Sequence, residues 1–251
     1  MKRKLIVANW KMNPDTSLEA LHLWEEIGKA SSALKKTSVV VCPPAIYVGL
    51  VAGQGGQALL GAQNCSASSE GARTGEVSAS MLANAGVAYV IVGHSERRAM
   101  GETNNDVSEK VAAVLRADMV PLVCVGERVR DPDGFYLKET TTQLEEGLAK
   151  VSKKNLSKIV IAYEPVWAIG KNGAGPASVT DVLEMVLYIR RALIRIFGKE
   201  AAKVPVLYGG SVEVKNAAEF MEHAGIDGLL VGRESLNTKA FPELLRIVDH
   251  L

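Results

Sequence analysis

Cysteine is scarce. The chain of 251 residues has three, Cys42, Cys65 and Cys124, widely spaced and without a C-x-x-C. That odd, scattered set is not expected to build a disulfide framework or a zinc site, and it suits reduced thiols in a cytoplasmic protein. An excess of either charge is also lacking: 29 Lys+Arg face 28 Asp+Glu, a net charge of +1, with no long run of one sign. Such a balance draws the chain neither to nucleic acid nor to an anionic membrane. No apolar run approaches the ~20 residues that cross a bilayer. Met1-Lys2-Arg3-Lys4 starts like a signal peptide, but Leu5-Ile6-Val7-Ala8 is too short an apolar run before Asn9 and Lys11 to complete one. No linker or shift in composition divides the chain. No G-x-G-x-x-G follows the first strand-like run, which weakens the case for an open, doubly wound sheet.

What is present is regular. Hydrophobic residues make up 47% of the chain, enough for a large core. Strand-like runs recur about every 30 residues, the size of one βα unit. They are Leu5–Trp10, Val39–Cys42, Ala58–Gln63, Tyr89–Val92, Val120–Val125, Ile159–Tyr163, Val204–Tyr208 and Gly228–Val231. Between them lie helical patterns, among them Ser17–Ala30, Asp106–Ala117, Tyr136–Lys150, Thr180–Phe197 and Phe241–Leu251. Caps mark two helix starts: Asp15-Thr16-Ser17 with Glu19, and Ser178 with Asp181. Eight alternating strands and helices across residues 1–251 predict a single-domain α/β protein, a closed parallel (β/α)8 barrel.

In such a barrel the chemistry belongs at the C-terminal ends of the strands. Those ends read Asn9-Trp10-Lys11, Gly93-His94-Ser95-Glu96-Arg97-Arg98, Glu164-Pro165, Tyr208-Gly209-Gly210-Ser211 and Val231-Gly232-Arg233-Glu234-Ser235. A carboxylate, a cation, an imidazole and two glycine-containing turns would therefore meet at one mouth. Glu164 closes a buried apolar strand, and Pro165 cannot extend the ladder. The apolar tip Val166-Trp167-Ala168-Ile169 and the Gly-rich 170–176 stretch suit a flap that excludes water. Taken alone, Glu164 reads equally well as a solvated strand-end charge, His94 as a satisfied core histidine, Lys11 as a surface lysine, and the glycines as plain turn residues. Cys124, among apolar neighbours and with no adjoining base, reads as a packing thiol.

The chain resembles the triosephosphate isomerase family from its first strand to its last helix. The matching stretches are Ala8-Asn9-Trp10-Lys11-Met12-Asn13, Thr74-Gly75-Glu76-Val77-Ser78-Ala79, Gly93 through Arg98, Cys124-Val125-Gly126-Glu127, Tyr163 through Gly170, and Tyr208-Gly209-Gly210-Ser211-Val212. The resemblance implies an isomerase that interconverts dihydroxyacetone phosphate and glyceraldehyde 3-phosphate through an enediolate. It needs no cofactor or metal. Glu164 matches the base, His94 the electrophile, Lys11 the cation, and Asn9 a positioner of the substrate oxygen. Backbone N–H groups at Gly170, Ser211, Gly232 and Arg233 match the phosphate contacts. Glu96 matches a supporting partner of Lys11. Thr74, in the long polar 63–78 loop, matches a residue that reaches Lys11 and His94 of a second subunit, so a homodimer is implied. A different sugar-phosphate barrel enzyme and a non-catalytic phosphate-binding barrel are the alternatives.

On this reading desolvation should raise Glu164 above the ~4.3 of a free carboxylate, and a helix start at Ser95 should hold His94 below ~6.5. Three places depart from the family. Arg233 stands where a second glycine is usual after Gly232, with Glu234 beyond it. Gly170-Lys171-Asn172-Gly173 replaces the usual Gly-Thr-Gly of the flap. Arg73 stands where an aromatic residue is common. Arg233 is strained if its position needs φ > 0. Its side chain is expected to turn outward, onto Glu234 or a loop carboxylate, leaving phosphate affinity nearly unchanged.

Overall fold

The computed structural model describes residues 3–169 and 176–251; Gly170 and the altered flap positions lie outside them. Eight strands close into one parallel barrel in sequence order: β1 (Lys4–Asn9), β2 (Thr37–Cys42), β3 (Leu59–Ala62), β4 (Tyr89–Val92), β5 (Val120–Val125), β6 (Val160–Tyr163), β7 (Val206–Tyr208) and β8 (Gly228–Val231). The expected (β/α)8 architecture is what the chain forms. Around it run α1 (Ser17–Ser32), α2 (Ala45–Val51), α3 (Ala79–Asn84), α4 (Ser95–Ala99), α5 (Asn104–Arg116), α6 (Phe135–Gly147), α7 (Val179–Phe197), α8 (Val214–His223) and α9 (Ala240–His250).

The local chemistry explains these boundaries. Thr16 and Ser178 each close a capping box, with Glu19 and Asp181, so α1 and α7 start where the sequence places them. The expected strand from Val204 starts two residues late. Lys199–Lys203 winds into a 3₁₀ turn capped by Val204, and Pro205, which follows, has no N–H to give a ladder.

Alternation along the strands sorts the core into two layers. Leu5, Val7, Val40, Cys42, Ile91, Leu122, Cys124, Val160, Ala162, Leu207 and Leu230 fill the barrel interior. Their neighbours, such as Ile6, Val41, Val123, Ile161 and Leu229, pack outward against Trp24, Val111, Leu144, Met185, Phe220 and Leu245 of the helices. Apart from Leu59 at the start of β3, both faces of the strands are largely covered, which is why the runs are almost continuously apolar.

Barrel closure depends on one close approach. Gly228 pairs with Leu5 across the β1–β8 seam, and a β-carbon there would lie 1.8 Å from the Leu5 carbonyl oxygen. Gly228→Ala should push the two strands apart. Overpacking of this kind costs about 1–3 kcal/mol or more, and in a chain this size each kcal/mol lowers Tm by roughly 2–4 °C. The Tm in a melt followed by circular dichroism should therefore fall by at least about 2 °C; an unchanged Tm would show that the seam has slack.

Candidate active site

Strand parity places the first residues of the site. On β6 the inward set Val160, Ala162 continues to Glu164, and on β1 the set Leu5, Val7 continues to Asn9 and then Lys11. On β4 the inward set is Tyr89, Ile91 and Gly93, so His94 is out of phase. Gly93 corrects this by adopting φ +73°, a conformation open to glycine. Its missing β-carbon also makes room for Val107, 2.9 Å from where that carbon would stand. Lys11 takes φ 54° itself, held by its N–H to Asn9 Oδ1 at 3.0 Å and by Gln63 Nε2 donating to its carbonyl at 2.8 Å.

Asn9, Lys11, His94, Glu164, Ser211, Gly232 and Arg233 all line one cavity of about 780 Å³ at the C-terminal mouth of the barrel. The sequence expected each of them there. Gly170, expected at the same mouth, lies outside the described residues. Thr74 is exposed on its loop and hydrogen-bonds neither Lys11 nor His94 within the chain. Among the described residues, no group of three or more His, Cys, Asp or Glu is arranged to hold a metal ion.

Glu164 is 2% exposed and His94 7% exposed. The carboxylate is gripped from two sides: Oε2 accepts the Ser95 N–H at 2.8 Å, and Oε1 lies 3.0 Å from His94 Nε2. On the other side of the ring, Nδ1 accepts the Glu96 N–H at 3.2 Å. That bond needs a lone pair on Nδ1, so the ring proton sits on Nε2, facing the carboxylate.

Both pKa directions run opposite to those expected from burial and the helix start. Burial pushes Glu164 up, but attraction to His94, the His94 and Ser95 hydrogen bonds and the charge of Lys11 outweigh it, and the carboxylate is held below its ordinary range. Burial pushes His94 down, but the charge of Glu164, its hydrogen bond and the charge of Glu96 lift the imidazole above its ordinary value. The physical reason is separation: at 3.0 Å each group's partner outweighs desolvation. The helix at Ser95 is only five residues long, too short for a strong dipole.

Lys11 Nζ meets Glu96 Oε1 at 2.6 Å, the partnership expected of Glu96. Gly232 sits against the same lysine, for a β-carbon there would stand 3.2 Å from Lys11 Cε. Arg233 begins a 3₁₀ turn, Arg233–Leu236, and is not among the residues with positive φ, so the feared strain is absent. Its side chain is exposed, as expected, but the expected carboxylate partner is missing. Glu234 Oε1 accepts the Val214 N–H at 3.4 Å instead, and Arg233 forms no ion pair among the described residues.

Several contacts that shape the site escaped the sequence reading. Glu127 is fully buried. Its Oε1 accepts Tyr163 Oη–H at 2.8 Å and Trp167 Nε1–H at 2.7 Å, and its carbonyl accepts the Val166 N–H at 3.0 Å. It therefore braces both the residue before Glu164 and the segment after it. Burial raises its pKa, against those hydrogen bonds and the nearby Arg130. Ser211 Oγ–H donates to the Ala168 carbonyl at 3.0 Å, tying the same segment to the end of β7. Gly126 lets β5 approach β6, since a β-carbon there would be 1.9 Å from the Glu164 carbonyl oxygen. The Cys124 thiol is fully buried and pushed well up by desolvation, in keeping with a packing role.

Comparison with known proteins matches this geometry to a family. A family profile described as triosephosphate isomerase matches residues 4–248. The chain belongs to the triosephosphate isomerase family. It is 41% identical over 247 residues to the triosephosphate isomerase of Aquifex aeolicus, an alignment that covers 97% of this chain and 98% of that one. It is 42% identical over 252 residues to that of Caldanaerobacter subterraneus, covering 98% and 99%. The crystal structure of triosephosphate isomerase from Bartonella henselae superposes with a TM-score of 0.86 at 37% identity, over 98% of each chain.

The Glu164–His94 contact makes a testable statement. An anionic neighbour favours imidazolium, so removing the charge with Glu164→Gln should lower the His94 pKa, leaving burial and the Glu96 N–H in control. NMR titration of the ring in both proteins measures this. A His94 pKa that stays put or rises in the variant would show that Glu164 is not the dominant influence.

Proposed function

We propose that this chain interconverts dihydroxyacetone phosphate and D-glyceraldehyde 3-phosphate, with Glu164 moving the proton between adjacent carbons. The observation that carries this reading is the pair of groups at the cavity floor: a buried carboxylate held below its ordinary pKa range and an imidazole with its proton on Nε2, 3.0 Å apart. An aldose–ketose exchange needs both, a base for the carbon and a donor for the oxygen beside it.

In the free chain Glu164 is turned onto Ser95 and His94. To act as base it leaves the Ser95 N–H and faces the substrate carbon. Leaving those donors, in a site sealed from water, strengthens it as a base. His94 then offers its Nε2–H to the oxygen on which charge develops. Asn9 spends Oδ1 on the Lys11 N–H, so its amide NH₂ is the group left to orient the substrate oxygen. The Lys11 ammonium, already at the cavity wall, stabilises the developing enediolate. The phosphate falls to the backbone N–H groups of Ser211, Gly232 and Arg233, where two glycine-containing turns open into the cavity. Gly170 belongs to the same proposal by resemblance.

The assembly proposed is a homodimer through the 63–78 loop. A second cavity of about 330 Å³ opens on the far side of Lys11 and His94, lined by Met12, Cys65, Leu82 and Met100. Met12 is 92% exposed and Met100 71% exposed in the single chain, which suits burial by the Thr74 loop of a second copy. Sedimentation at micromolar concentration should give about twice the 26.8 kDa of one chain; a single-chain mass would remove the proposal. No described helix is long and apolar enough to cross a membrane, and a cytoplasmic location is proposed with the soluble substrate.

Glu164→Asp tests the assignment of the base. It withdraws the carboxylate by about one methylene, and a misplacement of ~1 Å costs roughly 100-fold in rate. A coupled isomerase assay should show kcat falling by about that factor with KM little changed. Near-native kcat in the variant would remove Glu164 from the role.

A further inference from the structure

We infer that Arg233 is a specificity residue for the anionic end of the substrate, acting from the cavity rim as a cation with no carboxylate of its own. The inference rests on the isomerase reading above. It begins from an imbalance of charge. Among the described residues, four carboxylates line the cavity, those of Glu96, Glu164, Glu213 and Glu234, against two lysines and Arg233. Both lysines are engaged: Lys11 with Glu96 at 2.6 Å and Lys215 with Glu213 at 2.6 Å. Without Arg233, the wall that must accept a phosphate dianion would present two more negative charges than positive ones.

Arg233 is placed to answer that imbalance. It is exposed, lines the cavity, and pairs with no carboxylate among the described residues. The undescribed residues, 1–2 and 170–175, contain no Asp or Glu that could claim it. Its φ is not positive, and its side chain is exposed at the rim beside Gly232, which makes the close approach to Lys11. The resulting geometry puts a planar, permanently charged guanidinium one residue beyond the Gly232 amide proposed to hold phosphate. An exposed charge acts at a distance that salt shortens, and it is felt alike by bound substrate and transition state. The effect therefore belongs in KM and in phosphate affinity, and not in kcat.

The test compares the wild type with Arg233→Ala and Arg233→Lys at low and high ionic strength. Calorimetry gives the Kd for inorganic phosphate, and kinetics give kcat and KM for the triose phosphate and for phosphate-free glyceraldehyde. At low ionic strength Arg233→Ala should weaken phosphate binding and raise the triose phosphate KM by at least about twofold, with kcat nearly unchanged. The lysine variant should recover most of the loss, salt should narrow the gap, and the glyceraldehyde kinetics should not move. A change of less than twofold in Kd would overturn the inference, as would an equal loss with glyceraldehyde. Phosphate binding needs no turnover. A wild type that binds phosphate but does not isomerise would therefore sink the isomerase reading, while the calorimetric comparison still decides the role of Arg233.

Discussion

The contact on which the site depends is the grip of His94 and the Ser95 N–H on the Glu164 carboxylate, at 3.0 Å and 2.8 Å. A buried carboxylate without donors would take up a proton and cease to be a ready base. A buried imidazole without a charged neighbour would lose any reason to keep its Nε2–H directed inward. Each group sets the other's protonation, and both are nearly sealed from water, so the pair titrates as a unit. The barrel supplies the means, for β4 and β6 both end at the same mouth with β5 between them.

Glycine makes the approach possible. Gly93 turns the chain through a positive φ and so swings His94 out of its strand parity and into the mouth. Gly126 brings β5 within reach of the Glu164 backbone, and Gly232 makes room for the Lys11 stem. Behind these sits Glu127, a fully buried carboxylate whose Oε1 accepts hydrogen bonds from Tyr163 Oη–H and Trp167 Nε1–H. With Ser211 on Ala168, it leaves the backbone on both sides of Glu164 anchored to two neighbouring strand ends. A base that must move by small distances gains from a rigid surround, because every ångström of slack in its mounting is lost from the transition state.

The cavity wall, by contrast, is not tuned to neutrality. Among the described residues carboxylates outnumber cations there, and two lysines are already held by glutamates. Lys11 remains useful because its partner Glu96 is half exposed and water-screened. Arg233 is a different kind of group, unstrained and without an ion-pair partner among the described residues, at a rim position where the family usually has glycine. The strain that a positive φ would have brought to this position is absent, and the positive φ at the mouth falls on Lys11 and Gly93 instead.

The barrel was legible in the amino-acid order because its causes are local: apolar runs about 30 residues apart, capping boxes at Thr16 and Ser178, and glycines where strands end. So were Asn9, Lys11, His94 and Glu164, since strand ends in a parallel barrel share one mouth and the motifs around them are distinctive. The brace at Glu127 was not legible, because its partners Tyr163 and Trp167 are 36 and 40 positions away and are brought to it by the β5–β6 pairing. Nor were the directions of the Glu164 and His94 pKa values. Sequence offers burial and a helix start, which push one way; a 3.0 Å separation between residues 70 positions apart pushes the other, and wins. Distances of that kind are properties of closure. The order of residues determines which groups arrive at the mouth, and only the folded barrel decides how close they stand and therefore which charges they keep.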